Sequence, residues 1–248
     1  MTNGVTVLIP IGPNPIYQTW LPEAINSLLQ QTVLPDEILI IADGADISLE
    51  FLKGTIVHQT HAIEMFNDHF TLCLDNADKM IVVKRWKTPW NIGFSQAFNC
   101  GVGLSDNDLI IYLAADDTLS PECVADCLET WEIYNHKDAW YALTYESPSG
   151  GVCSIPINAA MITRNLWKAM KGFPPAAFAG PDAALLSCLM VHGPDRIIKV
   201  KPGKVNYHIR EHPGQETKIT AQPYSEEMTS IRNKLTANFK FDPGVVLT

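Results

Sequence analysis

The sequence predicts an α/β fold with a mostly parallel central sheet, and three observations support this. Four short apolar runs rich in β-branched residues have the pattern of strands buried on both faces of a sheet. Helical patterns separate most of these runs, and alternating strands and helices are typical of α/β proteins. The 248 residues, 46% of them hydrophobic, are enough for a sizeable core in one or two domains.

The predicted core strands all lie in the first half of the chain. They are VTVLIP (5–10), EILIIAD (37–43), KMIVVKR (79–85) and DLIIYLAA (108–115). The segment 54–78 has a less regular pattern, and a helix or an extra strand before the third core strand both remain open.

Two helices are predicted between or after these strands. The first covers 20–32, where apolar residues recur on one helical face. The second covers 120–134, with Ser120 as its cap and Pro121 in its first turn.

After residue 135 the pattern is looser. Strands are predicted over 139–147 and 150–163, on either side of a turn rich in proline, serine and glycine. A short helix over 165–172 is closed by Gly172, and a further helix lies between glycines over 180–193. From residue 202 the tail is richer in polar residues.

Composition and charge exclude several classes of function. The formal net charge of −9 argues against broad binding to nucleic acid or to an anionic membrane. The six cysteines contain no C-x-x-C pair, which disfavours zinc and favours reduced thiols in a cytoplasmic protein. The first residues have neither a basic n-region nor a long apolar run, so we expect no signal peptide and no integral membrane segment.

The residues that follow the predicted strands are the candidates for ligand binding. In open α/β sheets, ligands bind beyond the carboxyl ends of the strands. In this sequence those positions hold Pro10, Ile11, Gly12, Asp43, Arg85, Asn91, Gly93, Asp116 and Asp117. Two adjacent acids at the end of a buried strand repel each other and lose hydration, so we expect a cation beside Asp116 and Asp117.

The order of motifs resembles the family 2 glycosyltransferases, which have the GT-A fold. The resemblance runs from Val5 to about Thr217 and depends on these segments: VTVLIPIGPN, LPEAINSLLQQT, PDEILIIADGADIS, WNIGFSQAFNCGV, DLIIYLAADDTLSPE, KGFPPAAFAGPDAALL and YHIREHPGQET. It implies a Rossmann-like central sheet flanked by helices, with a smaller sheet on the acceptor side. It also implies one domain over 1–248, made of a nucleotide-sugar-binding half (1–135), an acceptor and catalytic half (136–220) and a C-terminal tail (221–248).

The resemblance assigns roles to individual residues. It implies that Asp43 contacts the nucleotide base, while Ala42 replaces the acid that usually precedes it. The N-x-G and A-x-N-x-G signature matches residues 91–101, with Phe98 where a basic residue is common. The D-x-D-D metal motif is reduced to Ala114-Ala115-Asp116-Asp117. Asp182 matches the catalytic base, after Pro181 in place of a glutamate, and His212 matches a late metal ligand, better than His208 does.

The chemistry of the residues supports a metal and a base independently. Carboxylates suit Mg²⁺ and Mn²⁺, and a divalent cation offsets the charge of a diphosphate leaving group. We expect Asp117 to bind the metal directly and Asp116 to contact ribose, sugar or metal, while an imidazole from His212 would favour manganese. Asp182 lies where a helix begins, a position that favours the ionised carboxylate a general base needs.

The predicted reaction is therefore a metal-dependent, inverting transfer of one sugar to an acceptor hydroxyl. A uridine diphosphate sugar is the default donor, because Asp43 can accept a hydrogen bond from an imide N–H. A glycan, a lipid-linked saccharide, a protein, a small metabolite or a modified nucleic-acid base remain open as the acceptor. The sequence lacks the Q-x-x-R-W signature of processive synthases.

Three other functions are weighed against this one. A sugar nucleotidyltransferase would need a glycine-rich, arginine-containing loop after the first strand, and a Rossmann dehydrogenase would need G-x-G-x-x-G there; IPIGPNP fits neither. A catalytically silent nucleotide-sugar-binding module stays open, because Ala42, Ala114 and Pro181 replace acids of the family pattern.

Overall fold

The computed structural model describes residues 4–56, 60–65, 69–74, 79–153, 159–173, 181–213 and 226–248. The strands are β1 (Val5–Ile11), β2 (Glu37–Asp43), β3 (Thr60–Met65), β4 (His69–Leu74), β5 (Met80–Thr88), β6 (Leu109–Tyr112), β7 (Thr118–Leu119), β8 (Trp140–Ala142), β9 (Thr144–Glu146), β10 (Val152–Cys153), β11 (Ala160–Thr163), β12 (Ile197–Lys199) and β13 (Val205–His208). The α-helices are α1 (Ile16–Leu29), α2 (Leu49–Ile56), α3 (Phe94–Leu104), α4 (Cys123–Ile133), α5 (Arg164–Ala169), α6 (Pro181–His192) and α7 (Glu226–Asn238).

The larger of two sheets is mostly parallel, as predicted. Among the described residues it has nine strands in the order β12-β8-β11-β6-β1-β2-β5-β4-β3. The central strands β6, β1, β2 and β5 pair in parallel, whereas β4 and β11 pair antiparallel with their neighbours on either side. Because β1 pairs with β2 on one side and β6 on the other, the strand order reverses beside β1, which is where ligands bind in such sheets.

The smaller sheet joins distant parts of the chain. Its order is β10-β9-β13-β7. In the β13–β7 pair, Tyr207 lies opposite Leu119, and β13 pairs in parallel with β9. This sheet therefore brings the segment after residue 205 next to the residues that follow β6.

The core lies on both faces of the large sheet. One cluster packs β1 residues such as Val7 and Ile9 against α1, α2 and α4, and the other packs Leu8 against α3, α5 and α6. Successive residues along β1 and β2 enter opposite clusters, which explains why these strands are continuously apolar. Burial of each such aliphatic side chain stabilises the fold by about 1.5–3 kcal/mol.

Several predicted boundaries were wrong. The first helix begins at Ile16, and the segment left open, 54–78, contains the end of α2 and the β3–β4 hairpin. The predicted strand 139–147 is divided between the two sheets, because β8 belongs to the large sheet and β9 to the small one. The predicted strand 150–163 contains two short strands, β10 and β11, and residues 154–158 are outside the described residues.

Ser120 does not cap α4. This helix begins at Cys123, and the Ser120 side chain instead contacts the carbonyl oxygen of Val205 at 2.9 Å and Nε2 of His208 at 2.8 Å. The hydroxyl group is therefore used to attach β13 to the end of β7, a long-range contact that local capping rules do not include.

Within the described ranges, the helices are too short or too polar to traverse a lipid bilayer.

Candidate functional site

The candidate site lies at the carboxyl ends of β1, β2 and β6. Pro10 and Ile11 are the last residues of β1, and Ile11 aligns with Ala42 of β2. The side chain of Ile11 is buried in the core, so only its backbone can face a ligand. A Cβ atom added to Gly12 would meet no atom within 4 Å, so the edge beside Gly12 is open.

Asp43 is buried at the end of β2 and binds the loop that follows β5. Its Oδ1 accepts a hydrogen bond from the Ile92 amide at 2.7 Å, and its Oδ2 accepts one from the Gly93 amide at 2.9 Å. The Thr88 hydroxyl lies 3.0 Å from Oδ1. Asp43 therefore fixes the position of this loop, and an additional donor from a ligand would have to share one of these oxygens.

Asn91, Gly93 and Gly44 each have a structural role in or beside the loop that follows β5. The Asn91 side chain accepts a second bond from the Gly93 amide, at 2.8 Å. Gly93 has a positive φ of 83° immediately before α3, a conformation that disfavours side chains. Gly44 also has a positive φ, and a Cβ there would lie 2.8 Å from the Asn91 amide nitrogen.

Arg85 lies inside β5 rather than after it, because the strand continues to Thr88. Its guanidinium group donates to the carbonyl oxygen of Ile47 at 2.7 Å, and its buried Nε has no partner among the described residues. Arg85 therefore holds the segment after β2 in place through the Ile47 carbonyl oxygen. Thr88, which the sequence analysis missed, occupies the end of the strand beside Asp43.

Asp116 and His212 meet although they are 96 residues apart in the chain. The Nε2 atom of His212 lies 3.0 Å from Oδ2 of Asp116, and both side chains are almost completely buried. The Nδ1 atom of His212 is buried without a hydrogen-bond partner in the described part of the chain. The structure thus brings together two of the residues predicted to bind the metal and the donor.

Asp117 lies beside them in a different set of contacts. Its Oδ2 accepts a hydrogen bond from the Tyr207 hydroxyl at 2.8 Å, and its Oδ1 accepts one from the Arg210 amide at 2.8 Å. Burial, followed by the charge of Asp116, raises the pKa of Asp117 to about 7. Burial and the Asp117 charge also raise the pKa of Tyr207 well above its usual value, so its hydroxyl remains a donor.

Tyr207 and Arg210 are site residues that the sequence analysis missed. Both are 90 or more residues from Asp117 along the chain. The only local signal is the alternation in β13, where Tyr207 is buried and points away from the more exposed His208.

His208 does not contact the acid pair. Its ring nitrogens lie 2.8 Å from the Ser120 hydroxyl and 3.1 Å from Oε1 of Glu146. The geometry therefore favours His212 over His208 as the histidine of this site.

The donor atoms around Asp116 suit a divalent metal ion. Carboxylate oxygens and an imidazole nitrogen are ligands of Mn²⁺ and Mg²⁺. A cation there would counteract the burial and the repulsion from Asp116 that together raise the pKa of Asp117. No group of three or more such side chains is already clustered in the described residues, so a diphosphate and water would have to complete the coordination sphere.

Asp182 lies in the first turn of α6, directly after Pro181. Its backbone position agrees with the helix start predicted from the sequence, and helix N-termini favour ionised acids. The Asp182 side chain lies outside the described part of the structure.

Comparison with known proteins gives a family and a fold. Residues 7–188 match the family described as glycosyl transferase family 2. The structure is similar to S. aureus TarS 1–349 in complex with UDP-GlcNAc, with a TM-score of 0.68, 15% sequence identity, and coverage of 94% of this chain and 65% of that chain. For TarS 1–349 in complex with UDP, the TM-score is 0.62 and the identity 14%, with 85% and 61% covered.

These solved structures establish the fold alone at such low identity. This chain also spans less than two thirds of the length of either TarS chain. No curated protein matches the sequence.

Proposed function

This chain belongs to glycosyl transferase family 2 and is by that membership a glycosyltransferase, and we propose that it transfers one sugar from a uridine diphosphate sugar to an acceptor hydroxyl. The GT-A fold expected from the sequence is confirmed by the similar solved structures. We further propose that the reaction is metal-dependent and inverting.

The contact between Asp116 and His212 is the observation that supports the proposal most strongly. Both side chains are buried, and they meet at the edge of the sheet where β6 ends beside β1. We propose that Asp116, Asp117 and His212 hold manganese or magnesium at this edge. The cation would supply positive charge to the diphosphate as the glycosidic bond breaks.

The donor assignment depends on Asp43 and its loop. Two TarS structures contain UDP and UDP-GlcNAc, which supports a uridine nucleotide for a chain with the same fold. We propose that the base imide N–H shares an oxygen of Asp43 with the loop amides. The backbone of Pro10, Ile11 and Gly12 lies at the neighbouring strand end and would contact the same nucleotide.

Asp182 is proposed as the general base. The acceptor hydroxyl oxygen attacks the anomeric carbon, its proton passes to the Asp182 carboxylate, and the bond from that carbon to the diphosphate oxygen breaks. Because the attack comes from the face opposite the leaving group, the product has the inverted anomeric configuration. Such proton transfer contributes about 10² to 10⁴ in rate.

We propose a cytoplasmic location for the enzyme. Five cysteines in the described residues are free thiols, including buried Cys123 and Cys127. Unpaired thiols are usual in reducing compartments.

The proposal can be tested with a panel of uridine, guanosine and thymidine diphosphate sugars. Thermal shift with Mn²⁺ identifies the donor, and release of the nucleoside diphosphate then measures turnover. We expect Asp116→Asn and Asp117→Asn to abolish turnover, whereas Asp182→Asn should retain donor binding and lose about 10²-fold or more in kcat.

Glu132→Gln, which changes an exposed acid on α4, is the matched control and should behave as wild type. Normal turnover without any divalent ion would contradict the metal assignment. A product that retains the anomeric configuration of the donor would contradict the role of Asp182.

A further inference from the structure

We propose that Arg210 is a positioning residue that fastens the segment 209–213 onto the acid pair and thereby presents His212 to Asp116. The inference concerns a residue to which the family resemblance assigns no role. Its consequence for metal binding rests on the proposed function, but the positioning itself is a property of the metal-free chain.

Arg210 contacts both acids of the pair. Its backbone amide donates to Oδ1 of Asp117 at 2.8 Å, and its side-chain Nε donates to the backbone carbonyl oxygen of Asp116 at 3.0 Å. Main chain and side chain of one residue are therefore bound to two consecutive residues in the turn between β6 and β7. This arrangement fixes both the position and the direction of the chain segment that follows β13 and leads to His212.

The other end of the guanidinium group is fixed by α1. It donates to the carboxylate of Glu23, and its central carbon lies 4.0 Å from the centre of the Trp20 ring. Arginine is suited to such a site because its planar group can stack on an aromatic face and donate in several directions at once.

His212 rests on the same stretch of α1. Its ring centre lies 6.4 Å from that of Trp20 and 6.3 Å from that of Tyr17. Residues three apart on a helix share one face, so Tyr17 and Trp20 form a single aromatic surface. Arg210 and His212 therefore dock on one face of α1, and loss of the arginine contacts should free the histidine as well.

Lysine at position 210 tests the proposal directly. Arg210→Lys retains the positive charge and the backbone amide, but a single ammonium group cannot bond Asp116 and Glu23 while stacking on Trp20. Glu23→Gln removes only the charge of the outer partner, whose side chain is 57% exposed. The matched control is Arg196→Lys, because Arg196 also donates to backbone carbonyls but fastens a different segment, through Asp138 and Thr248.

Two measurements separate positioning from general destabilisation. Amide hydrogen exchange of a peptide covering 209–213 is measured in the metal-free protein, and the Mn²⁺ dissociation constant is measured from the electron paramagnetic resonance signal of the free ion. We expect Arg210→Lys to raise the exchange rate over 209–213 and the Mn²⁺ dissociation constant by about tenfold each. This is the equivalent of one lost charge-assisted hydrogen bond. Glu23→Gln should act in the same direction with a smaller effect, and Arg196→Lys should change neither.

Unchanged exchange over 209–213 in folded Arg210→Lys would overturn the proposal, as would an equal change in Arg196→Lys. Raised exchange with unchanged Mn²⁺ affinity would overturn the presentation of His212. If Arg210→Lys does not fold, Glu23→Gln decides by the same two criteria. If the wild-type protein binds no Mn²⁺, the proposed metal function fails, whereas hydrogen exchange still decides whether Arg210 holds the segment.

Discussion

Asp117 is a buried carboxyl group whose surroundings oppose its ionisation. Burial and the neighbouring charge of Asp116 oppose the charged form, and they outweigh the two hydrogen bonds from the Arg210 amide and Tyr207 and the positive charge of Arg210, which favour it. An acid in this environment holds its proton near neutral pH unless a cation is close. The ionisation of Asp117, the residue predicted to bind the metal, would therefore depend on that metal.

This property predicts the pH dependence of stability. The pKa of Asp117 rises from an ordinary value of 3.8 to about 7 on folding, so between these values the folded state binds more protons than the unfolded state. In the metal-free protein, the free energy of unfolding should therefore fall as pH rises from about 4 to about 7, by up to about 4 kcal/mol from this group. Denaturant unfolding at several pH values measures this slope.

The Asp117→Asn variant isolates the effect, because asparagine cannot ionise in this range. The difference in unfolding free energy between the variant and the wild type should shift in favour of the variant as pH rises, and saturating Mn²⁺ should reduce that shift. A difference that stays constant between pH 4 and pH 8 would show that Asp117 titrates normally.

Asp43 gives a second prediction. Asp43→Ala removes the acceptor for the Ile92 and Gly93 amides, so it should destabilise the protein. It should also weaken the binding free energy of the donor by about 1.5–3 kcal/mol, which raises the donor's dissociation constant. Thr88→Val removes a hydroxyl at the end of β5, beside the same loop, but retains the Asp43 carboxylate. It should lower stability while leaving donor affinity nearly unchanged, as measured by calorimetry. Equal donor affinity in wild type and Asp43→Ala would exclude Asp43 from base binding.

At the scale of elements, the sequence predicts the strands better than the helix between β5 and β6. The core strands are recognisable because both faces are buried, which makes them continuously apolar. Helix α3 contains Gly101 and Gly103, which lower local helix propensity, so tertiary packing rather than propensity explains it. The short strands β7 and β13 also have no clear local signal, since β7 forms by pairing with β13, and β13 pairs with both β7 and β9 across the chain.

The two glycines of α3 give a matched pair of variants. A Cβ on Gly101 would lie 2.3 Å from Cδ1 of the fully buried Leu8, whereas a Cβ on Gly103 would meet nothing within 4 Å. Gly101→Ala should therefore cost about 1–3 kcal/mol through overpacking. Gly103→Ala should stabilise the protein by about 0.5–1 kcal/mol, because alanine loses less backbone entropy on folding. Thermal unfolding of both variants checks the prediction, and the same sign for both would contradict it.

Some residues of the candidate site could be predicted from the sequence because they lie near the ends of apolar runs. The residues that distant segments contribute could not be predicted in this way. Asp43 ends β2, and Asp116 and Asp117 lie in the turn between β6 and β7, so the end of a buried apolar run in the sequence identified all three. Tyr207 and Arg210 come from a segment whose approach depends on the small sheet and on α1, and no local pattern encodes that contact. His212 was identified only through the family resemblance, and its contact with Asp116 is a finding of the structure.

At the scale of the whole molecule, residues beyond the family match complete both the site and the core. The match ends at residue 188, yet Tyr207, Arg210 and His212 surround the acid pair. The segment 239–248 then packs on the opposite side, where Phe239 and Phe241 join the core cluster that contains α6.

Removal of residues 239–248 should therefore affect both stability and turnover. Phe241 packs at the end of α6, where a Cβ on Gly193 would lie 3.0 Å from its ring. Thr248 bonds Asp138 through its amide, at 3.0 Å, and its carbonyl oxygen accepts from the Asp138 amide at 3.1 Å. Loss of this apolar surface and of these bonds should cost several kcal/mol and lower the melting temperature by about 5–10 °C.

The same removal should lower turnover. Because α6 begins with the residues that include Asp182, kcat should fall more than donor affinity. Val246→Ser, at a position that is 83% exposed, is the control and should change neither. A shortened protein with wild-type melting temperature and kcat would show that α6 is held in place without this segment.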